Sequence, residues 1–284
     1  MTDASAVRHI TGFSNPTVKY LRSLREKKLR KRAGQLLVEG LRLLEDARIS
    51  GRVPRMLVMA EGNERAYAGH ALLEGLVRAV ADAGGEIITT TPDILTKITG
   101  KSNTQSVVGV FDEFDTSLAQ IDRATAPIWL VAQDLRDPGN LGTMLRTGDA
   151  VGAGGLILID DCADPFSAEA VRASMGAVFT QGLAQARWPE FVAWLRGAEA
   201  GAGEALPAQL VAASLREAVP YRGAPYAEPC FVLVGNESQG LPEAYEAECD
   251  LRVTMPMRGR ADSLNAAVAG AVLAYEVLAG LEGA

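Results

Sequence analysis

The chain has 284 residues, of which 48% are hydrophobic and 22% are charged, and its formal net charge is −7. This length accommodates two domains, although one large α/β domain is also possible, and the hydrophobic fraction allows a sizeable core. No uninterrupted apolar run approaches the roughly 20 residues that span a bilayer, and the first ten residues lack the pattern of a secretory signal. We therefore expect a cytoplasmic protein with no membrane partner.

Cysteine and histidine usage argues against several kinds of site. The three cysteines, Cys162, Cys230 and Cys249, are scattered and form neither a CxxC pair nor a zinc-binding spacing, so reduced thiols are expected. The two histidines, His9 and His70, lie far apart in sequence. We therefore expect neither a histidine-based metal site nor a Ser-His-Asp triad, and we predict no bound metal.

The first predicted helix is strongly basic, although the chain as a whole is acidic. It covers residues 15–34, with Pro16 suited to its first turn and Gly34 to its end. Residues 1–60 hold 13 Lys and Arg against 5 Asp and Glu, and residues 19–32 hold eight against one. Such a run attracts phosphates without reading sequence, and the alternative is a solvated helix face. The candidate RNA-binding residues are Lys19, Arg22, Lys27, Lys28, Lys31 and Arg32.

The rest of the N-terminal part alternates short strands with helices. Strands are predicted at QLLVEG, RMLVMA, GEIITTT and SVVGVFDEF, and helices at LRLLEDARIS, around residues 69–83 and at TPDILTKITG. This alternation implies a parallel or mixed sheet. The strand signal is then lost in a polar stretch at 112–127. We accordingly place one α/β domain at residues 1–115 and a second at residues 127–284.

The second domain repeats the alternation. Strands are predicted at IWLVAQ, GLILID, residues 178–184, AQLVAA, CFVLVG and LRVTMPM, and helices at 141–151, 167–175, 188–195 and 264–279. If the first of these helices begins at residue 141, Asn140 is its N-cap and Arg146 lies in its second turn. Asp262 or Ser263 is suited to cap the last helix. The role of Asn265 at the start of this helix is then not assigned.

Three strands of this domain end in loops rich in Gly, Asn and Pro, within LVAQDLRDPGNLG, LVGNESQGLP and TMPMRGRADSLN. In open α/β sheets, ligands bind beyond the carboxyl ends of the strands. Three such loops therefore indicate one composite site. Neither the G-x-G-x-x-G pattern of dinucleotide-binding folds nor a G-x-x-x-x-G-K-[ST] phosphate loop is present.

Taken in order, the three loops resemble the signature motifs of the SpoU (TrmH-type) RNA ribose 2′-O-methyltransferases of the SPOUT superfamily. The motif N-x-G-x-x-x-R matches residues 140–146, G-N-E-x-x-G-L matches 235–241, and P-M-x-G-x-x-x-S-L-N-x-x-V-A matches 256–269. The main departure is Ser238, where many relatives have Gly. The resemblance covers about residues 127–280, and residues 15–47 look like the substrate-binding domain of the family's ribosomal-RNA branch.

The resemblance implies a SPOUT α/β domain with a C-terminal trefoil knot, preceded by a smaller N-terminal α/β RNA-binding domain. It implies S-adenosylmethionine as the cofactor, a homodimer whose site is assembled from both chains, and ribose 2′-O-methylation of RNA, with ribosomal RNA favoured over transfer RNA. The residues implied to act in catalysis are Arg146, Asn140, Glu237, Ser263 and Asn265. Those implied to bind the cofactor are Gly235, Met255, Leu264, Asn236 and Gly240.

The chemistry suggests a role for each implied catalytic residue. Because arginine effectively keeps its proton in proteins, we expect Arg146 to bind the target phosphate and stabilise developing alkoxide character. Asn140 would orient Arg146 or the ribose, and Glu237 would orient Arg146 or pass the proton on. Ser263 and Asn265 would fix the cofactor loop and the helix start.

Two other classes of function fit these residues less well. A protein that uses the same fold only to bind RNA would have lost Asn140, Arg146 or Glu237, and all three are present. A nucleotide-binding oxidoreductase or hydrolase is disfavoured because the phosphate-loop and nucleophile patterns are missing.

Overall fold

The computed structural model describes residues 7–61, 71–100, 107–197 and 208–283. His70 and the predicted start of a helix at residue 69 lie outside these ranges. The chain divides into two compact units, Met1–Phe114 with Phe166–Arg172, and Asp115–Pro165 with Ala173–Ala284.

The first unit contains a mixed five-stranded sheet. Its strands are β1 (Arg8–Ile10), β2 (Gln35–Glu39), β3 (Met56–Ala60), β4 (Glu86–Thr90) and β5 (Val107–Asp112), in the order β1-β4-β3-β5-β2. Strand β4 pairs in parallel with β1 and β3, whereas β5 pairs antiparallel with β3 and β2. The four strands predicted here are observed. Strand β1 is only three residues long, too short to show a periodic pattern.

Five α-helices of this unit lie in the described residues before Phe114. They are α1 (Pro16–Ser23), α2 (Lys27–Ala33), α3 (Leu41–Ile49), α4 (Ala71–Asp82) and α5 (Pro92–Thr99). The prediction of one helix over 15–34 is wrong, because Glu26 adopts an extended conformation between α1 and α2. The break frees the carbonyl of Leu24 from a helical partner, and this carbonyl accepts a 3.0 Å hydrogen bond from Nη1 of the buried Arg30. A side chain of the next helix thus satisfies a carbonyl at the end of the first one.

The second unit contains a seven-stranded, fully parallel sheet. Its strands are β6 (Ile128–Gln133), β7 (Gly155–Ile159), β8 (Gly182–Ala186), β9 (Gln209–Ala213), β10 (Val219–Pro220), β11 (Cys230–Val234) and β12 (Leu251–Thr254). The order is β10-β12-β9-β11-β6-β7-β8, and every recorded pairing is parallel. The carboxyl ends of β12, β9, β11 and β6 therefore lie side by side at one edge of the sheet.

The α-helices described after residue 115 are α6 (Pro138–Val151), α7 (Ala168–Ala173), α8 (Ala177–Thr180), α9 (Trp188–Leu195), α10 (Glu243–Ala247) and α11 (Ala266–Glu282). All but the last residue of α7 belong to the first unit. The prediction of a strand over 178–184 is wrong, since a short helix ends at Thr180 and β8 begins at Gly182. Two glycines fix this start. A Cβ added at Gly155 would lie 2.0 Å from the carbonyl oxygen of Gly182, so the two backbones meet only where both residues lack side chains.

The sheet of the second unit is covered by buried side chains on both faces, as expected for a parallel sheet. Strands β6, β7 and β11 are buried at every position. On one face, Trp129 stacks on Phe231 with ring centroids 6.0 Å apart. Helices α6 and α11 pack against each other. Within the part of the chain that the structure describes, no helix combines the length and apolar character needed to cross a membrane.

Candidate functional site

Three loops meet at the carboxyl edge of the parallel sheet. They follow β6, β11 and β12, whose ends are neighbours in the sheet or separated by one strand. A cavity of about 400 Å³ opens between the loops after β11 and β12 and the end of β9. All five residues predicted to bind a cofactor line this cavity, namely Gly235, Met255, Leu264, Asn236 and Gly240. Glu237 and Ser263 line it as well.

A chain of side-chain hydrogen bonds joins the three loops. Nδ2 of Asn265 donates to Oδ1 of Asn140 at 2.9 Å, and Nδ2 of Asn140 donates to Oε1 of Glu237 at 2.9 Å. One residue from each predicted motif thus takes part, although 97 and 125 residues separate the bonded positions in sequence. The second carboxylate oxygen of Glu237 has no hydrogen bond to any residue in the described ranges, so it can accept one from a ligand.

The prediction that Asn140 caps helix α6 is wrong. The helix begins at Pro138, and Asp137 is its cap, with Oδ1 accepting the backbone N–H of Asn140 at 2.6 Å. Proline at the first position and aspartate before it are a favoured helix start. Asn140 therefore lies inside the first turn with its side chain free for the other loops. The shifted start also moves Arg146 from the predicted second turn to the third.

Asn265 caps helix α11, so the prediction that Asp262 or Ser263 does so is wrong. Its Oδ1 accepts the backbone N–H groups of Ala267 and Val268 at 3.0 and 3.2 Å. Because Oδ1 is occupied by these donors, Nδ2 must face Asn140. The same side chain thus caps the helix and joins the loop network, which explains an asparagine at this position.

Asn236 shapes the loop that follows β11. Its Oδ1 accepts hydrogen bonds from the backbone N–H and the hydroxyl of Ser238 and from the N–H of Gln239, and its Nδ2 donates to the carbonyl of Asp134. The loop closes on Gly240, which has a φ of +68° and donates its N–H to the Asn236 carbonyl. The side chain of Asn236 is therefore occupied by the protein itself.

Gly235 is required by the close approach of the two ends of this loop. A Cβ added there would lie 2.6 Å from the carbonyl carbon of Gly240 and 2.7 Å from the nitrogen of Leu241. Both contacts are to backbone, which cannot rotate away. The loop after β11 therefore has its observed shape only with glycine at position 235.

We expect Gly235→Ala to displace this loop and to lower the free energy of unfolding by about 1–3 kcal/mol, the usual cost of overpacking. Thermal unfolding of the purified variant measures the effect. Gly259→Ala is the matched control, because a Cβ at Gly259 meets nothing within 4 Å and its φ is not in the left-handed region. Equal melting temperatures for both variants and the parent would contradict this prediction.

Arg146 is not part of the loop network. It lies on an exposed position of α6, six residues beyond Asn140, and it does not line the cavity. It forms neither a hydrogen bond nor an ion pair with any residue in the described part of the chain. The single chain therefore brings Asn140, Glu237, Ser263 and Asn265 to one site and leaves Arg146 apart from them. Ser263 is exposed and donates its hydroxyl to Asp262 at 3.2 Å.

The lining of the cavity also includes Ser214, Arg216 and Glu246, which were not predicted from the sequence. The first two follow the carboxyl end of β9, which lies between β11 and β12 in the sheet. Applying the strand-end rule to AQLVAA would have identified them, since it too is a strand followed by polar residues. Glu246, on α10, has no such signal.

Cys162 follows β7 and is hydrogen-bonded to the first loop, and its burial disfavours the thiolate form. The backbone N–H of Leu135 donates to its Sγ at 3.3 Å, and the thiol faces the carbonyls of Ala132 and Ile159. Burial raises the pKa of this thiol to about 11, so the reactive thiolate is scarce at neutral pH. Among the described residues, no group of three His, Cys, Asp or Glu side chains is placed to hold a metal ion.

The six candidate RNA-binding side chains are all exposed on α1 and α2 of the first unit, Lys19, Arg22, Lys27, Lys28, Lys31 and Arg32. Lys31 lies 3.8 Å from Glu113, so part of its charge is neutralised. Arg30, within the same basic run, is 3% exposed and belongs to the interior.

Comparison with known proteins identifies relatives of both parts of the chain. A model described as the SpoU rRNA Methylase family matches residues 127–275, and a model described as the MRM3-like substrate binding domain matches residues 15–109. The 23S rRNA (guanosine(2553)-2′-O)-methyltransferase RlmP of Bacillus subtilis is 28% identical over 95% of this chain and 99% of its own length. The 23S rRNA (uridine(2479)-2′-O)-methyltransferase of Streptomyces viridochromogenes is 30% identical over 96% of this chain and 92% of its own.

Solved structures show the same similarity. The AdoMet-bound rRNA methyltransferase from Sinorhizobium meliloti superposes with a TM-score of 0.86 at 35% identity, covering 97% of this chain and 98% of that one. The SpoU methyltransferase AviRb from Streptomyces viridochromogenes, in complex with the cofactor AdoMet, gives a TM-score of 0.81 at 28% identity, covering 95% and 100%.

Proposed function

Since the chain belongs to the SpoU rRNA methylase family, we propose that it transfers a methyl group from S-adenosylmethionine to a ribose 2′-hydroxyl of ribosomal RNA. The observation that carries this proposal is the hydrogen-bonded chain Asn265–Asn140–Glu237 beside the cavity. Two relatives of nearly full length are named for 2′-O-methylation of 23S rRNA. They favour ribosomal over transfer RNA as the substrate.

The cavity fits S-adenosylmethionine in size and chemistry. Its volume of about 400 Å³ lies within the range of roughly 300–1,000 Å³ common for small-molecule sites. Val234, Leu241 and Leu264 offer apolar surface for a base, while Glu237 and Asp262 suit the positive charges of the ligand. We propose that Gly235, Asn236, Gly240, Met255 and Leu264 hold the cofactor.

The protein's task in this reaction is to position the hydroxyl and to handle its proton. S-adenosylmethionine, when bound, supplies an electrophilic methyl group on its sulfonium. Asn140 fixes one oxygen of Glu237, and the other oxygen is left to hold the ribose hydroxyl or Arg146. Arg146 binds the target phosphate and stabilises developing negative charge on the hydroxyl oxygen, since a guanidinium is suited to bidentate phosphate recognition. Ser263 and Asn265 hold the third loop in place.

We further propose that the chain acts as a homodimer in which a second copy supplies Arg146. Two observations support this. Arg146 lies outside the network that it is expected to serve, and the neighbouring helix α11 exposes apolar side chains at Val268, Val272 and Tyr275, which follow a helical spacing. The trefoil knot remains a prediction, which the parallel order β12-β9-β11-β6 supports. A cytoplasmic location is likewise proposed, consistent with three free thiols.

We propose that the N-terminal domain at residues 1–115 binds the RNA substrate through α1 and α2. Replacing Lys27, Lys28 and Arg32 with glutamine is expected to weaken RNA binding and to flatten its salt dependence by about 0.7–0.9 in log–log slope for each lost phosphate contact. Lys31 is kept because it lies beside Glu113. Binding to rRNA fragments at several salt concentrations measures both effects.

A matched control removes three positive charges elsewhere, at Arg187, Arg196 and Arg252 in the second unit, which pair with carboxylates on the surface. An unchanged salt slope in the α2 variant, or an equal change in the control, would show that the basic helices do not bind the RNA.

The substrate itself is tested by mapping ribose methylation across cellular RNA with and without this protein. A ribose 2′-O-methyl group blocks alkaline cleavage at its nucleotide, so one protected position in ribosomal RNA should disappear when the protein is absent. If a protected position disappears from transfer RNA instead, the substrate is transfer RNA and not ribosomal RNA. If no protected position disappears, the proposal is contradicted.

A further inference from the structure

One wall of the cavity is formed by a buried carboxylate and the two groups that bind it. Strand β9 ends at Ala213, and Ser214 and Arg216 follow it. Glu246 reaches the same place from α10 and is 5% exposed. Its Oε1 accepts the hydroxyl of Ser214 at 2.7 Å, and its Oε2 accepts Nη1 of Arg216 at 3.1 Å.

This arrangement holds the guanidinium of Arg216 in place. The hydroxyl oxygen of Ser214 also accepts the backbone N–H of Arg216 at 2.9 Å, which fixes the turn. A buried carboxylate needs its partners, so the pair with Glu246 is maintained. Nε and Nη2 of Arg216 have no hydrogen bond to any residue in the described ranges. Its side chain is 54% exposed, so a fixed fork of donors faces the cavity.

The charges around the cavity are unevenly placed. Its charged lining residues are Arg216, Glu237, Glu246 and Asp262. Among the residues described there, Arg216 is the only basic one. S-adenosylmethionine carries one negative group, the α-carboxylate of its methionine part, and two positive groups, the ammonium and the sulfonium. One fixed cation, in a cavity that Glu237 and Asp262 line without an ion pair to any described residue, complements that pattern.

We propose that Arg216, oriented by Glu246 and Ser214, binds the α-carboxylate of S-adenosylmethionine. This inference rests on the proposed function, because it concerns the same cavity. A guanidinium and a carboxylate match as two parallel N–H···O bonds. In that role Arg216 is a cofactor-binding residue on β9's side of the cavity, and Glu246 and Ser214 are positioning residues.

The test compares two ligands that differ only in the carboxylate, S-adenosylmethionine and its decarboxylated analogue. Arg216→Gln keeps a donor for buried Glu246 and removes the charge. We expect this variant to bind S-adenosylmethionine about 10- to 100-fold more weakly, as for a lost hydrogen bond to a charged group, and to bind the analogue within about twofold of the parent. Isothermal titration calorimetry measures both affinities without reference to turnover.

Two further variants keep the test decisive. Arg216→Lys retains the charge beside Glu246 without the planar fork, so an intermediate loss is expected for S-adenosylmethionine alone. Arg252→Gln is the control, since Arg252 pairs with Glu217 and does not line the cavity; both affinities should stay at the parental values. Thermal unfolding checks that each variant folds, and Arg216→Lys carries the comparison if Arg216→Gln does not.

Equal losses for the two ligands, or no loss for either, would overturn this inference. The parent protein separates that result from failure of the proposed function. If the parent binds S-adenosylmethionine and Arg216→Gln loses nothing, only the role of Arg216 is wrong. If the parent binds neither ligand, the proposed function itself is contradicted.

Discussion

Arg146→Ala is expected to slow methyl transfer by about 10²- to 10³-fold, the usual effect of removing one donor that stabilises a developing oxyanion. Affinity for S-adenosylmethionine should stay within about twofold. The physical reason lies in the placement of Arg146, which is exposed on α6, outside the cavity and without a partner among the described residues. Its loss therefore removes no contact on which the fold depends. Single-turnover transfer and calorimetric binding on one purified variant measure the two quantities.

The controls separate charge from geometry. Arg146→Lys keeps the positive charge but lacks the fork that grips a phosphate, so a smaller but clear loss of rate is expected. Arg187→Ala removes an exposed arginine that pairs with Asp161 and should leave the rate unchanged. Near-parental turnover of Arg146→Ala would refute the role proposed for this residue.

Arg146→Ala also shows whether the site is shared between two copies of the chain. Gly235→Ala is expected to lose cofactor binding through displacement of its loop. In a mixed dimer of Arg146→Ala and Gly235→Ala chains, one of the two sites would combine an intact cavity with an intact arginine. Co-expression should therefore restore about a quarter of the parental rate, given random C2 pairing. No restoration would mean that each chain forms its site alone.

The second large effect is expected at Asn265, where capping and the loop network can be separated. Asn265→Asp keeps an oxygen to cap α11, and aspartate is as good a cap as asparagine. Aspartate has no side-chain N–H to donate, so Oδ1 of Asn140 loses its donor. Nδ2 of Asn140 then has a carboxylate on either side, at position 265 and at Glu237. At least one of the two hydrogen bonds of the loop network is therefore lost. We expect the transfer rate to fall about 10- to 100-fold while the free energy of unfolding changes by less than about 0.5 kcal/mol.

Asn265→Ala is the matched variant, because it removes both functions at once. It should lower the free energy of unfolding by about 1 kcal/mol through loss of the cap and lower the rate at least as much as Asn265→Asp. Thermal unfolding and transfer assays on the pair give both quantities. A parental rate in Asn265→Asp, or a rate loss that simply follows stability across the pair, would leave Asn265 as a cap only.

The parts of the site that could be predicted from the sequence are those that local pattern determines. Apolar strands ending in Gly- and Asn-rich loops indicated the edge of the sheet, and the motifs identified seven of the residues that line the cavity. Helix caps were harder to predict. Asp262, Ser263 and Asn265 are all good cap residues, and of the three only Asn265 also binds Asn140, 125 positions away in sequence.

The remaining errors originate in contacts that a local sequence pattern does not show. The break after α1 depends on the bond from buried Arg30 to the Leu24 carbonyl, and a local helical pattern does not reveal it. The start of β8 depends on the approach of Gly182 to Gly155. Arg216 and Glu246 were missed because an arginine after a strand and a glutamate on a short helix are unremarkable until the fold places them 3.1 Å apart.

The central claim is that this chain methylates a ribose 2′-hydroxyl of ribosomal RNA with S-adenosylmethionine. The most direct measurement incubates the purified protein with methyl-labelled S-adenosylmethionine and ribosomal RNA isolated from cells that lack the protein, then identifies the labelled nucleoside by mass spectrometry after complete digestion. We predict label in one nucleoside, on its ribose, and at least about 100-fold slower labelling in the Arg146→Ala reaction. Label on a base, or no transfer to RNA by a protein that binds the cofactor, would contradict the claim.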